Sequence, residues 1–425
     1  MFRRLVAVAV VSTVVLAMCA TAASAALPGD LDSTFSFDGR QTTNFTAGFD
    51  SANAVAVRTD SKIVGVGQAG GNGGQFALAR YLIDGSLDTG GFGVGTGKVT
   101  TDFTPGYDAA YDGVLDAAGN IVAVGRAGGS GGRFAIARYL PDGSLDRAFS
   151  TDGRAVADFT TGDDYAFGVA IQPLDGKIIA VGRAGGSGGV IAVARFMPDG
   201  TLDTTFNTDG KATTNFTAGD DRADAVAVQG DAKIVVAGSA NYFGSNGKFA
   251  LVRYNDDGTL DTGFNGVGKR TTDFTPGFDG AFGIAVQPGN QYIVAVGQAG
   301  LTLGLARYKP DGTLDPNFST DGKARTNFTP GADYADDVVL QSDGKIVAAG
   351  AANFFGPDSR FALARYNGND GTLDISFSDD GKLMTNLTAG FDGAYGVAIA
   401  PDGKIVAGGY AGGSGGRFAI VRYVG

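Results

Sequence analysis

The stretch that decides the fold is Asp343–Gly350 (DGKIVAAG), followed by Phe361–Tyr366 (FALARY) and Gly371–Asp374 (GTLD). The first two segments are short and rich in Val, Ile, Leu, Ala and Phe, and the first begins with an Asp-Gly pair of the kind found in tight hairpins. The same pattern recurs along the chain. Its Leu-Asp pairs begin at residues 31, 87, 145, 202, 260, 314 and 373. Seven copies of about 57 residues predict a solenoid or a propeller.

Each copy contains four β-type segments and shows no helical periodicity. In the fourth copy they are Lys211–Phe216, Ala225–Val228, Lys233–Ala237 and Lys248–Tyr254. Such units leave apolar side chains on both sheet faces, and a closed ring covers all of them. Arg40–Thr46 supplies the strand that the last copy, ending in Phe418–Tyr423, lacks. We therefore predict an all-β, seven-bladed β-propeller over residues 26–425, with four-stranded blades and a ring closed by the N-terminal strand.

The repeated wording Asp-Gly-Lys-Ile-Val, Phe-Ala-Leu-Ala-Arg-Tyr and Asp-Gly-Thr-Leu-Asp resembles the delta-60 repeat family. These are secreted bacterial β-propeller repeats described as a domain of unknown function. The resemblance covers the chain after residue 25. It implies a propeller and an exported bacterial protein, and it brings no catalytic motif.

The first 25 residues are typical of a secretory signal peptide. Arg3 and Arg4 precede an apolar run, which ends in the small residues Ala23–Ala25. The apolar run is too short to span a bilayer, so we expect no membrane span and a secreted, extracellular or cell-surface protein. Cys19, the one cysteine, lies within this segment. A lipoprotein signal ending at Cys19 is the alternative.

The composition argues against most enzymes. The chain has no His, and all 44 acidic residues are Asp, which excludes Ser-His-Asp and Cys-His catalysis and any His-ligated metal. We therefore predict a non-enzymatic protein. Its formal net charge of −11 repels nucleic acid, so no nucleic-acid partner is expected. We expect a monomer.

Cofactors are not expected, with calcium as the one alternative. Asp-rich turns such as Asn255–Asp261 contain oxygen ligands. Calcium takes six to eight oxygens, and one turn offers too few. Capping of the turn by its own Asp side chains is the other explanation. The sequence leaves open whether the protein binds a metal.

Three charged positions recur in all seven copies. An Arg closes the third segment of each copy, an Asp opens the innermost segment, and a further Asp belongs to Leu-Asp. One carboxylate for each guanidinium predicts ion pairs that connect loops to sheets. Because the positions are identical in every copy, we interpret them as architecture.

The positions that differ between copies are better candidates for function. Asp224 and Asp336 replace mostly aromatic residues at the start of the innermost strand in copies four and six, and Asp337 follows Asp336. In the same two copies an aromatic loop replaces a glycine loop. Its aromatic residues are Tyr242, Phe243, Phe354 and Phe355. Exposed aromatic rings beside carboxylates suit sugar or peptide ligands. Filling of gaps between blades is the alternative explanation.

These observations favour a module that binds a glycan or a protein through one propeller face, with these seven residues as its candidate site. A structural surface or matrix protein without a small ligand is the first alternative. The second is a lyase or hydrolase that uses Asp224 and Asp336 as acid and base.

Overall fold

The computed structural model describes residues 26–354 and 356–425, so the predicted signal peptide and Phe355 lie outside the described residues. Within those ranges the chain forms 28 strands in seven four-stranded antiparallel sheets. The only helical segments there are two 3₁₀ turns, Gly71–Gly73 and Gly413–Gly415. The predicted seven-bladed β-propeller is confirmed. No helix of the described part has the length and apolarity needed to cross a bilayer.

The strands are numbered in chain order, and each blade runs from an innermost strand A to an outermost strand D. Blades 1 and 2 are built from β2 (Ser51–Val57), β3 (Ile63–Ala69), β4 (Gln75–Tyr81), β5 (Lys98–Thr101), β6 (Ala109–Leu115), β7 (Ile121–Ala127), β8 (Arg133–Tyr139) and β9 (Arg154–Ala157). Blades 3 and 4 are built from β10 (Tyr165–Ile171), β11 (Ile178–Ala184), β12 (Val190–Phe196), β13 (Lys211–Thr214), β14 (Arg222–Val228), β15 (Ile234–Ala240), β16 (Lys248–Tyr254) and β17 (Lys269–Thr272).

The remaining three blades complete the ring. Blades 5 and 6 are built from β18 (Asp279–Val286), β19 (Ile293–Ala299), β20 (Thr302–Tyr308), β21 (Lys323–Thr326), β22 (Tyr334–Leu340), β23 (Ile346–Ala352), β24 (Arg360–Tyr366) and β25 (Lys382–Thr385). Blade 7 is built from β26 (Asp392–Ile399), β27 (Ile405–Ala411), β28 (Arg417–Tyr423) and β1 (Arg40–Thr43).

The ring closes through strand pairing between the two ends of the described chain. Arg40 lies opposite Val421 and Thr43 opposite Phe418 in an antiparallel register. Strand β1 is therefore the outermost strand of blade 7, as predicted, and the sheet of that blade gains the fourth strand that the other blades have.

Side chains of strands B and C fill the spaces between blades. Phe76 and Leu78 of blade 1, both fully buried, pack with Ile121, Ala123 and their neighbours from blade 2. The alternation along strand C sends successive side chains to opposite faces, so each sheet contributes to two inter-blade cores. Each fully buried Phe or Leu stabilises the fold by about 1.5–3 kcal/mol relative to an exposed one.

We call the face that carries the D–A and B–C loops the upper face. Its loops are fixed by the Asp that opens each innermost strand, and all seven are fully buried. They are Asp50, Asp108, Asp164, Asp221, Asp279, Asp333 and Asp392. In blade 3, Asp164 accepts hydrogen bonds from the backbone N–H groups of Phe159, Thr160 and Gly185 and from the Thr160 hydroxyl. These carboxylates tie the D–A loop to the B–C loop.

The opposite, lower face carries the ion pairs. Each Arg that closes strand C pairs with the Asp of Leu-Asp, which we call the pairing aspartates. The pairs are Arg80–Asp88, Arg138–Asp146, Arg195–Asp203, Arg253–Asp261, Arg307–Asp315, Arg365–Asp374 and Arg422–Asp32. Arg422 and Asp32 join the two ends of the described chain. Of the two recurrent Asp sets, therefore, only the Leu-Asp set pairs with Arg, because the other set lies on the opposite face.

Candidate functional site

All seven innermost strands contain a β-bulge at the same position. In blade 4, Ala223 pairs with Gly238 and Ala225 with Ala237, so Asp224 has no residue opposite it. The other bulged residues are Asn53, Tyr111, Phe167, Phe282, Asp336 and Tyr395. The sequence pattern had suggested that these residues begin their strands. The strands begin two or three residues earlier, and the bulge changes the direction of the side chain.

A glycine in strand B makes room for each bulge. In blade 4 a Cβ on Gly238 would collide with the carbonyl oxygen of Arg222 in strand A, and a Cβ on Gly350 of blade 6 would collide with that of Tyr334. The five other blades have a glycine in the same contact. This recurrent glycine, which follows Val, Ala or, in blade 7, Gly408, was the sequence signal for the bulges, because a glycine inside a strand often marks a bulge or a close backbone approach.

The bulged residues surround a cavity of about 330 Å³ in the centre of the ring. It is lined by Asn53, Ala54, Tyr111, Asp112, Phe167, Arg222, Asp224, Ala225, Phe282, Asp336, Asp337 and Tyr395. Four carboxylates, which we call the channel aspartates (Asp112, Asp224, Asp336 and Asp337), and one guanidinium thus share a space with four aromatic rings. Every blade contributes at least one residue, and the contributed residue types differ between blades except that blades 3 and 5 each contribute one Phe.

Arg222 and Asp224 form the one ion pair among the residues that line the cavity. The Arg222 Nε atom donates to Asp224 Oδ1 at 2.6 Å. The guanidinium lies between two rings, 3.9 Å from the centre of the Phe167 ring and 4.5 Å from that of Tyr242, so cation–π contacts fix it on both sides. The other carboxylate oxygen of Asp224, Oδ2, is buried without a hydrogen-bond partner.

The other channel aspartates fall into two kinds. Asp112 accepts the N–H groups of Gly113 at 2.7 Å and of Val169 in the next blade at 2.8 Å. Asp337 makes the equivalent contacts with Val338 and, in blade 7, Val397. Both carboxylates connect adjacent innermost strands. Asp336 differs, since its Oδ2 atom is buried and has no hydrogen-bond partner.

Burial raises the pKa of all four channel aspartates. Burial raises the pKa of Asp224 to about 6 although Arg222 acts against it, and it raises the pKa of Asp337 to about 6 despite two backbone N–H donors. For Asp112 burial, aided by the charge of Asp337, raises the pKa to about 7. Burial and the charge of Asp224 together hold the pKa of Asp336 well above its ordinary value. A cluster of carboxylates that resists ionisation is typical of a functional site.

The aromatic loop of blade 4 lies at the cavity mouth. Tyr242 is half-buried above Arg222, and its ring meets Phe278 of blade 5 edge-on, with 5.7 Å between the ring centres. Phe243 is 70% exposed and does not line the cavity, and its ring lies 5.5 Å from the guanidinium of Arg183 in blade 3.

In blade 6, Phe354 meets the ring of Tyr334 at right angles, with 4.8 Å between the ring centres, and Tyr334 in turn touches Phe282 on the cavity wall. Phe355 lies outside the described residues.

The structure thus places three of the predicted site residues, Asp224, Asp336 and Asp337, in one cavity. Tyr242, Phe243 and Phe354 do not line it. Sequence reasoning missed Arg222 and Asp112. Asp112 was detectable, because it follows the bulged residue of its blade just as Asp337 does in blade 6.

The described residues do not support a metal site. Within residues 26–354 and 356–425, no group of three or more carboxylates is arranged to hold an ion. In the turn singled out for calcium, Asp257 Oδ1 accepts the N–H and the hydroxyl of Thr259. These hydrogen bonds cap the turn, which is the alternative that the sequence left open.

Solved structures resemble the fold at low sequence identity. Virginiamycin B lyase from Staphylococcus aureus matches with a TM-score of 0.55 and 11% identity, over 90% of this chain and 98% of that one. A protein of unknown function from Dyadobacter fermentans matches with 0.46 and 13%, over 91% and 97%. The periplasmic gluconolactonase of Pseudomonas aeruginosa matches with 0.45 and 17%, over 70% and 81%. At 11% identity the likeness to virginiamycin B lyase shows the propeller fold alone.

No protein with a curated description matches the chain. A family model does, seven times, and its description is "Domain of unknown function (DUF5122) beta-propeller". The matched residues are 58–90, 112–149, 174–206, 229–264, 293–318, 341–377 and 400–423. They make up more than half of the chain, and one match falls in each repeat. The narrower resemblance to delta-60 repeats stays a prediction. The chain belongs to the DUF5122 β-propeller family.

Proposed function

We propose that the protein is a secreted, non-enzymatic binding module that recognises a glycan or a protein through its upper face. The observation that carries this proposal is the central cavity, whose lining differs between all blades except 3 and 5, while the four-stranded sheet repeats in every blade. Packing alone requires only the repeated positions. The carboxylates and rings of the cavity are the polar and apolar contacts that ligand pockets combine.

The cavity lining also argues against a purely structural role. A matrix protein without a ligand gains nothing from burying the Oδ2 atoms of Asp224 and Asp336 without partners, since such atoms cost stability. Native proteins break such local rules mostly at functional sites, where the group has a further role. Phe243 at the rim adds an exposed aromatic face, of the kind on which sugar rings and peptide side chains pack.

The test is retention of ligands by the immobilised protein, on a glycan array and from native culture supernatant. We expect Phe243→Ser to lower retention several-fold without changing thermal stability. Phe37→Ser is the matched control, because Phe37 is 97% exposed but lies on the lower face. If both variants retain ligands as well as the wild type does, the upper face is not the binding surface and the proposal fails in that respect.

An acid–base enzyme is the second candidate, favoured by the raised pKa values of Asp224 and Asp336. Two carboxylates that ionise at different pH values are able to act as acid and base. Turnover of a polysaccharide panel, measured with and without calcium, separates the two candidates. Product formation that Asp336→Asn abolishes would establish an enzyme, whereas retention without turnover supports the binding module.

A further inference from the structure

The carboxylates that line the cavity outnumber its positive groups, so a bound cation would improve the charge balance. Four carboxylates face one guanidinium, Arg222, and that guanidinium is already bound to Asp224 and held between two rings. Asp224, only 8% exposed, and Asp336 each keep a buried oxygen without a partner. Asp336 is further repelled by the charges of Asp224 and Asp337. A positive group beside Asp336 would relieve this repulsion and satisfy both oxygens.

The arrangement suits a protonated amine better than a metal ion. Both carboxylate oxygens of Asp112 and of Asp337 already accept hydrogen bonds from backbone N–H groups, so these residues are poor metal ligands. Calcium would need six to eight oxygens. An ammonium group has three N–H donors and needs only a few acceptors, and the partnerless oxygens of Asp224 and Asp336 match that demand.

The rest of the cavity indicates what carries the amine. Its volume of about 330 Å³ lies in the range of pockets that enclose small molecules. The rings of Tyr111, Phe282 and Tyr395 supply flat apolar walls around the carboxylates. Such walls suit the C–H face of a sugar ring, and a neutral hydroxyl group would leave the carboxylates uncompensated.

We propose that the central cavity takes the protonated amine of an amino sugar, held between Asp224 and Asp336 with its ring against the aromatic wall. This proposal rests on the proposed binding function and names the ligand chemistry of the same site. It assigns Asp336 the leading role, since Asp224 keeps Arg222 as a second partner.

The experiment is isothermal titration calorimetry of the purified protein with glucosamine, glucose and N-acetylglucosamine at pH 7. We expect glucosamine to bind at least about tenfold more tightly than the two neutral sugars, and Asp336→Asn to remove this preference. Asp358→Asn is the matched control, because Asp358 is an exposed upper-face carboxylate outside the cavity. At pH 5 the glucosamine affinity falls, because the channel aspartates become protonated while the amine stays charged.

Three results would overturn the proposal. Equal binding of all three sugars, unchanged in Asp336→Asn, would leave a glycan-binding module without an amine site. Binding of Nα-acetyl-lysine amide but not of glucosamine would assign the cavity to a peptide amine instead. If none of these probes binds, the amino-sugar assignment fails. The proposed binding function is tested separately, by retention of ligands on the glycan array.

Discussion

The lower face and the central channel use the same residue, aspartate, in opposite ways. On the lower face each pairing aspartate meets an Arg, and the arrangement repeats in all seven blades. In the channel only Asp224 has an Arg, and the four aspartates come from three blades. Repetition thus marks the carboxylates that hold the ring together, and irregularity marks those that we propose for ligand binding.

The pKa values of Asp32 and Asp203 on the lower face are shifted in the opposite direction to those of the channel aspartates. Burial alone would raise the pKa of Asp32, but hydrogen bonds from Thr34 and Lys404 and the charge of Arg422 outweigh it and lower the value to about 2. The pKa of Asp203 is likewise lowered to about 2, against the effect of burial. In the channel, burial prevails and the pKa values rise.

The largest expected effect is on the lower face. Asp315→Ala leaves the guanidinium of Arg307 buried without its carboxylate, since both side chains are at most 5% exposed. Removing one partner of a buried pair costs about 3–5 kcal/mol. Urea unfolding should show a loss of this size in the free energy of unfolding.

The matched control for that loss is Asp358→Ala, which breaks the exposed pair with Arg360. Exposed pairs contribute about 0–1 kcal/mol, so this variant should unfold at nearly the wild-type urea concentration. Similar losses in both variants would contradict the architectural role of the lower-face pairs.

The comparison also predicts an unusual pH profile of stability. The pairing aspartates Asp32 and Asp203 have pKa values lowered to about 2, so their contribution is complete above about pH 4 and is lost as the pH falls towards 2. Asp112, Asp224 and Asp337 have raised pKa values, of about 7, 6 and 6, so the folded state binds extra protons between about pH 4 and 7. Stability should therefore decline as the pH rises through that range, and the maximum should lie between about pH 4 and 5.

Urea midpoints measured from pH 3 to 8 check this profile. Each channel group contributes a slope of about 1.4 kcal/mol per pH unit between its two pKa values. In Asp112→Asn the decline towards pH 7 should be shallower, because one titrating group is gone. A stability that rises steadily from pH 4 to 7 would mean that the channel carboxylates ionise without cost.

Within the channel, two neighbouring substitutions should have opposite signs. Asp336→Asn removes a buried carboxylate that the charges of Asp224 and Asp337 repel, and we expect a gain in stability on the order of 1 kcal/mol at pH 7. Asp337→Asn is the control, because its amide NH₂ would face one of the N–H donors of Val338 and Val397. That variant should lose stability. A loss in both would show that Asp336 also supports the fold.

The sequence contained most of the fold because the fold is repetitive. Seven Leu-Asp pairs fixed the number of blades, and the strand supplied by Arg40–Thr46 predicted the ring closure that the register of β1 and β28 confirms. The partner of each Arg was harder to predict. Both Asp sets recur once per blade, and only the structure shows that one of them lies on the other face.

The candidate site was only partly predictable, because a bulge is a property of strand pairing. Asp224, Asp336 and Asp337 stood out as departures from the repeat, but their direction depends on an unpaired position in strand A. Arg222 was missed because its partners, Asp224 and the rings of Phe167 and Tyr242, come from two blades. Contacts between side chains of different blades cannot be read from the repeat pattern of the sequence.

The smallest expected effect concerns a buried Tyr–Thr hydroxyl pair that recurs between adjacent blades, and it tests whether both hydroxyls can be replaced together. The Tyr254 hydroxyl bonds to the Thr214 hydroxyl of the preceding blade at 2.6 Å, and five other blade junctions have the same pair. At the remaining junction the corresponding residues are Phe196 and Ala157, which are both buried in one core cluster. Both polar partners are thus replaced together, and an apolar pair of matching shape costs little.

Tyr254→Phe should therefore cost about 1 kcal/mol, because it leaves the buried Thr214 hydroxyl without its partner. Adding Thr214→Val should recover most of that loss, and a double-mutant cycle by urea unfolding measures the coupling between the two hydroxyls. Strictly additive losses would show that the hydroxyls do not depend on each other, and the seven-fold layer would then owe its stability to apolar packing and the lower-face ion pairs. Recovery would show that the two hydroxyls stabilise the ring as a pair, so that losing both together costs less than losing one.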